Sequence, residues 1–174
     1  GIDNISFQSI EWLYNNGEDI TLPQTSWYFF KNDIWRFPPG SNPNYGDELG
    51  SSIVFSDSIP VLALFFKLFK SFIPENFQYI SFWYLICFYF QLFFSFIILK
   101  KFTNSIPYSF IGSFFFLIAP IFVYRVSTMS AAAGQWILLL ALYLALSYRV
   151  DKSKLPWILL IILSSLINFY FTVM

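Results

Sequence analysis

The 174-residue chain contains no histidine and a single cysteine, Cys87. Without histidine, this sequence offers neither an imidazole base nor a zinc site with a histidine ligand. One cysteine excludes a disulfide within the chain, and its place in an apolar run says nothing about redox compartment. Charge is scarce as well. Asp, Glu, Lys and Arg make up 11% of residues, against about a quarter in a soluble domain of ordinary composition. Acid–base chemistry is left to carboxylates, tyrosines and lysines. No glycine-rich phosphate loop and no arginine-rich voltage-sensor pattern is present.

What the chain has instead is apolar. Hydrophobic residues reach 57%, and 24 residues are phenylalanine. Composition of this kind places the chain among membrane proteins. The phenylalanines need no dedicated aromatic site, because apolar surface facing lipid accommodates them freely. The net charge is zero but unevenly spread. Residues 1–58 carry eight acids and two bases, and residues 59–174 carry two acids and eight bases. An acidic aqueous part is therefore followed by a membrane part with basic flanks. Nucleic acid is excluded as a partner for the aqueous part, since an acidic surface repels phosphates.

Four apolar runs, 79–99, 107–124, 131–148 and 155–174, approach the roughly 20 residues that a helix needs to cross a bilayer. The fold class expected is all-α, a polytopic helical membrane protein with an extracytoplasmic loop domain of short amphipathic helices. Lys100 and Lys101 follow the first run, and Arg149, Lys152 and Lys154 follow the third, whereas only Arg125 lies between the second and third. The excess of positive charge puts the turns after the first and third runs in the cytoplasm and residues 1–77 on the outer side of the membrane. The segment 59–74 is apolar but holds Lys67 and Lys70 between Pro60 and Pro74. It reads as an amphipathic interfacial helix whose lysines snorkel to lipid phosphates. Residues 1–58 are too aromatic for a disordered tail. Helices are expected over 6–14 and 24–34, with an ordered loop over 37–46. The chain opens without an initiator methionine and closes on an apolar run with no polar flank, so it reads as a piece of a longer protein.

The chemistry-bearing candidates are few. Glu18 and Asp19 follow the turn Asn15-Asn16-Gly17. A carboxylate there serves either to cap the next helix or to bind a divalent cation, Mg or Mn, or to act as a base on a sugar hydroxyl. Asp57, just before Ile59-Pro60, stands equally between capping and function. Arg125 at the outer end of the second run suits a membrane lipid phosphate or diphosphate, or plain interfacial anchoring. Gln91 and Asn168, inside apolar runs, are expected to hydrogen-bond between helices.

Several motifs carry a resemblance. Ser26-Trp27-Tyr28-Phe29-Phe30-Lys31, Trp35-Arg36-Phe37-Pro38, the stretch from Tyr45 to Pro60, Phe77-Gln78-Tyr79 and Gly134-Gln135-Trp136 together resemble an uncharacterised family of bacterial multi-pass membrane proteins, a domain of unknown function. In layout that family is similar to the GT-C type of glycosyltransferase, which takes a sugar from a polyprenyl-phosphate carrier. Such enzymes use an acidic residue in the first extracytoplasmic loop for catalysis or metal binding. The resemblance implies Asp19 as that carboxylate and metal ligand, Asp57 as a second catalytic carboxylate, and Arg125, Trp27, Arg36 and Gln135 as contacts to the polyprenyl-phosphate-linked sugar. The expected function is sugar transfer in envelope glycan or lipid modification. The alternative is a non-enzymatic membrane protein that binds, moves or scaffolds envelope glycolipids.

Overall fold

The computed structural model describes residues 18–147 and 153–174. The helix expected over 6–14, the turn at 15–17 and the basic residues Arg149 and Lys152 lie outside that range. Among the described residues the fold is mostly helical, as expected, with one two-stranded sheet two residues long on each side.

The cap begins with helix α1, Glu18–Asn32. Pro23 lies inside it and cannot donate to the Asp19 carbonyl four residues back. Its own carbonyl accepts the Ser58 hydroxyl at 3.3 Å, which ties α1 to the loop before the next helix. Strands β1 (Ser41–Asn42) and β2 (Ser51–Ser52) pair antiparallel, Ser41 with Ser52 and Asn42 with Ser51. The loop between them closes through Gly50 at φ 63°, where an added Cβ would sit 3.0 Å from the Pro43 Cα. Only glycine meets both demands without strain. Behind the hairpin, the buried hydroxyls of Ser26, Ser56 and Ser58 form a chain, with 2.6 Å between the first two and 2.9 Å between the last two. The Asn42 amide donates to the Ser26 carbonyl at 2.9 Å.

Helix α2 runs over Pro60–Leu68, with Pro60 in the first turn where its missing N–H costs little. Here the structure corrects the snorkelling expectation for Lys67. Its side chain is buried, its Nζ lies 3.8 Å from the centroid of the Phe30 ring and 4.9 Å from that of Trp35, and it donates to the Ile34 carbonyl at 3.3 Å. The ammonium turns inward because two aromatic faces and a carbonyl offer it a partner in the cap. Burial, the largest influence, pushes its pKa down. Lys70 is exposed and free to reach outward. Lys31 binds the other edge of the same region, donating to the Glu75 carbonyl at 2.5 Å.

The remaining helices form a bundle. Helix α3 (Ile80–Thr103) packs against α4 (Ile106–Leu117) and α6 (Trp136–Ser147), and α7 (Leu155–Ile167) packs against α6 and α2. Helix α5 (Pro120–Thr128) continues α4 after a bend of 46°. The bend falls at Ala119, whose extended ψ of 126° is what a following proline favours. The short helix α8 (Phe169–Val173) follows α7 after a break at Asn168, φ −155° and ψ 124°. Lys101 donates to the Ser147 hydroxyl at one end of the bundle. At the other, the Trp83 indole donates to the Ser130 carbonyl at 2.6 Å. Gly134 also lies there, and a Cβ on it would come within 3.1 Å of Trp83 and 3.2 Å of Ile167. Glycine therefore lets α3, α6 and α7 converge beneath the cap.

Among the described residues, α3 alone is long and apolar enough to cross a membrane, and α4 with α5 makes a second such span if the bent pair is counted as one. At 1.5 Å per residue α3 reaches about 36 Å, whereas α6 and α7 reach about 18–20 Å. Over the described residues the apolar runs of the sequence appear as helix, but the second is bent before Pro120, as that proline implies, the third is interrupted at Gly134-Gln135 and the fourth at Asn168. Within the bundle small polar side chains are buried beside an apolar core, while many large apolar side chains face outward. Ser81, Gln91, Ser95, Ser109, Ser113 and Ser164 are buried between helices, while Leu85, Phe93, Ile111, Phe115, Ile158 and Ile162 face outward and exposed. The inner hydroxyls bond back to their own helix, as Ser95 does to the Gln91 carbonyl at 2.7 Å and Ser109 to Ser105 at 2.7 Å. Gln91 donates across to the Phe116 carbonyl at 3.4 Å, the interhelical role its position implies.

Candidate functional site

The cap end of the bundle holds a cavity of about 630 Å³. Its polar lining is Asp57, Arg125, Gln135 and Asn168, and its apolar lining includes Ile121, Leu138 and Phe171. Each polar group arrives on a different element for a local reason. Asp57 sits in the loop before α2 at φ 51°, a left-handed conformation that aspartate and asparagine tolerate better than most residues. The backbone around it is pinned: Ser58 N–H donates to the Ile53 carbonyl at 3.3 Å, and the Tyr79 hydroxyl donates to the Ser58 carbonyl. Arg125 lies on α5, redirected by the bend at Ala119. Gln135 lies just before α6, and its Nε2 donates to the Ile121 carbonyl of α5 at 3.4 Å. Asn168 occupies the break between α7 and α8.

The Asn168 side chain makes two contacts that fix its orientation. Its Oδ1 accepts the Tyr170 N–H at 2.9 Å and so caps α8. The amide nitrogen then faces the other way and donates to Asp57 Oδ1 at 3.2 Å. Asp57 retains exposed surface, yet protein crowds its carboxyl, and burial raises its pKa above the ordinary carboxylate value. The negative charge of Asp19, in the first turn of α1, adds to the rise. Arg125 forms no ion pair among the described residues, and its Nη1 donates to the Met129 sulfur at 2.7 Å. A thioether is a weak acceptor. The guanidinium thus keeps most of its donors for a ligand, at the border of a cavity whose far wall is apolar.

Of the residues singled out from sequence, Asp57, Arg125 and Gln135 are brought to this one cavity. Asp19 stands exposed beside it and is felt by Asp57 through charge. Trp27 and Arg36 are not brought there. Trp27 is buried in the cap, its Nε1 donating to the Phe77 carbonyl at 3.2 Å and its ring edge-on to Tyr79 at 5.1 Å. Arg36 pairs with Asp33 at 3.0 Å, and that hydrogen bond is the main reason the Asp33 carboxyl is held below its usual pKa. Sequence reading gave Asn168 a helix–helix bond and missed its place at the site. The available signal was a cap-forming residue interrupting an apolar run. No cluster of three or more His, Cys, Asp or Glu side chains able to hold a metal ion occurs among the described residues. Asp19, which the resemblance makes a ligand of a divalent cation, is a single exposed carboxylate, fewer protein ligands than a dedicated cage provides.

The family model of a domain of unknown function, DUF6311, matches residues 1–174. No curated protein and no solved structure matches the chain.

Proposed function

We propose that this chain, which belongs to the DUF6311 family, forms part of a multi-pass membrane glycosyltransferase that moves a sugar from a polyprenyl-phosphate carrier onto an acceptor of envelope glycan or lipid modification. The observation that carries the reading is the single cavity in which Asp57, Arg125 and Gln135 meet an apolar wall. A lipid-linked sugar phosphate needs those three things together: a base, an anion receptor and a surface for hydrocarbon. In the reaction, the Asp57 carboxylate takes the proton of an acceptor hydroxyl while the hydroxyl oxygen bonds to the anomeric carbon. The bond from that carbon to the phosphate oxygen breaks, and polyprenyl phosphate leaves with the bonding electrons. Arg125 offsets the charge that builds on the departing phosphate, and Gln135 offers an amide donor beside it. A raised pKa suits a general base. A divalent cation at Asp19 is a compatible addition, but no step here depends on one.

The small polar groups packed inside the bundle and the large apolar groups exposed on its outer surface support a multi-pass topology. The cavity and the acidic cap lie at the end opposite Lys100 and Lys101, so the positive-inside rule supports an extracytoplasmic site in an inner membrane. In intact cells, a membrane-impermeant thiol reagent is expected to label Asn44→Cys in the cap and to spare Ser153→Cys. Cys87 is fully buried and does not compete for reagent. Labelling of position 153 with protection of position 44 would invert the topology and remove the extracytoplasmic-carrier reading.

The activity itself is tested with full-length protein in proteoliposomes, given a radiolabelled polyprenyl-phosphate hexose and an acceptor glycolipid extract. Arg125→Ala is expected to raise KM for the carrier at least tenfold, with Arg125→Lys intermediate because a lysine keeps the charge and loses the fork. Failure of the native protein both to transfer and to bind polyprenyl phosphate would overturn the proposal. Binding without transfer would favour a carrier-binding protein instead.

A further inference from the structure

The geometry points to Asn168 as a positioning residue that holds the Asp57 carboxylate ionised and aimed into the cavity, so that the pH at which the site becomes basic is set from the break between α7 and α8. This deepens the proposed function and rests on it only in calling Asp57 the base.

The argument begins with the backbone. Residues 155–174 are apolar enough to form one continuous helix, yet the chain leaves helical geometry at Asn168. Because Asn168 Oδ1 is occupied by the Tyr170 N–H, the amide cannot flip without exposing an uncapped helix start. The Nδ2 donors are thereby committed toward Asp57, and the side chain is 8% exposed, so little water competes for them. A hydrogen bond donated to a carboxylate favours its ionised form, whereas burial and a second negative charge disfavour it. Burial and the charge of Asp19 raise the Asp57 carboxyl, and the Asn168 amide donates to it. Asp19 acts on it from α1, Arg125 lies on α5 across the cavity, Gln135 and Asn168 are the neutral polar groups, and Tyr170 follows on α8. Of these, Asn168 makes the hydrogen bond to the carboxylate among the described residues. The same residue orients α8, which supplies Phe171 to the cavity wall. Carboxylate ionisation and wall position are therefore coupled through one amide.

Two substitutions separate this role from simple helix capping. Asn168→Ser keeps a side-chain oxygen for the Tyr170 N–H but is too short to reach Asp57. Asn168→Asp keeps the cap and replaces the donor with a negative charge. The experiment follows the carboxyl carbon of Asp57 by NMR in full-length protein labelled with 13C-aspartate in nanodiscs, the signal being assigned by its loss in Asp57→Asn. Asp57 is expected to titrate about one pH unit higher in Asn168→Ser than in the native protein, and higher still in Asn168→Asp. An unchanged titration in Asn168→Ser would overturn the inference and leave Asn168 as a cap alone. If Asn168→Asp fails to fold, the serine variant decides. The readout requires no turnover, so a native protein without transferase activity would defeat the proposed function while leaving this coupling measurable.

Discussion

Replacing Asp57 by asparagine is expected to lower sugar transfer by about 10²–10⁴-fold, the range that a lost general base removes, and to make the protein more heat-stable at neutral pH. Both effects have the same origin. The native carboxyl is raised in pKa by burial first and by Asp19 second, so the folded protein holds that proton more tightly than the unfolded chain does. Such a group contributes fully to stability below its unfolded pKa, about 4 for aspartate. The contribution is lost as pH rises through the elevated folded value. Above that window the ionised carboxylate is a net burden on the fold. Asparagine removes the charge, still accepts the Asn168 amide, and tolerates the left-handed φ of 51° at this position. The gain in melting temperature should therefore be clear at pH 8 and shrink as pH falls toward 4. Alanine is the poorer probe, since it would add backbone strain to the loss of the base. Transfer assays and thermal unfolding across pH read the two effects on the same preparations. A variant that loses activity and stability together would mean that Asp57 serves the fold, and retention of transfer would remove it from the chemistry.

Much of the bundle was legible because it rests on long-wavelength features of the sequence. Apolar runs, basic flanks and the acidic first third all register without knowledge of contacts. The kink in the second run was legible too, because Pro120 announces it. What escaped was the break at Asn168, where a side-chain cap competes with the helix without shortening the apolar run on a hydropathy count. Lys67 was misread for a related reason. An amphipathic segment beside a membrane sends its lysines to phosphate by default, and only the fold reveals that Phe30, Trp35 and the Ile34 carbonyl make a closer partner. At the site, Asp57 and Arg125 could be suspected from residue type and from resemblance, since charge near an apolar run asks for an explanation. Trp27 and Arg36 sit in motifs of the same apparent weight, yet the fold uses them to hold the cap. A motif marks residues that matter without saying whether they matter to packing or to a ligand. That the candidates from the loop, α5 and the start of α6 face one cavity depends on the bend before Pro120 and the convergence at Gly134, and those are tertiary facts.

The packing role of Trp27 leads to the largest expected loss of stability. Trp27 is 1% exposed and joins α1 to the segment before α3. It belongs to α1, its indole N–H donates to the Phe77 carbonyl in the segment before α3, and its ring meets Tyr79 edge-on at 5.1 Å. Tyr79 in turn stacks on Phe66 of α2 at 5.7 Å and donates its hydroxyl to the Ser58 carbonyl, next to Asp57. Truncating Trp27 to alanine opens a cavity at the centre of that cluster and should cost about 3–5 kcal/mol. Trp27→Phe keeps most of the ring and loses the indole hydrogen bond, a cost of about 1 kcal/mol. The cap should then loosen before the bundle does, because α3 to α7 keep their own contacts. Limited proteolysis of Trp27→Ala in nanodiscs is expected to cut within residues 18–58 while α3 stays intact, and transfer should fall because the loop that carries Asp57 is anchored through Tyr79. The phenylalanine variant should resist cleavage and keep most activity. Equal behaviour of the two variants would show that the serine chain of Ser26, Ser56 and Ser58, and not the aromatic cluster, fastens the cap to the helical bundle.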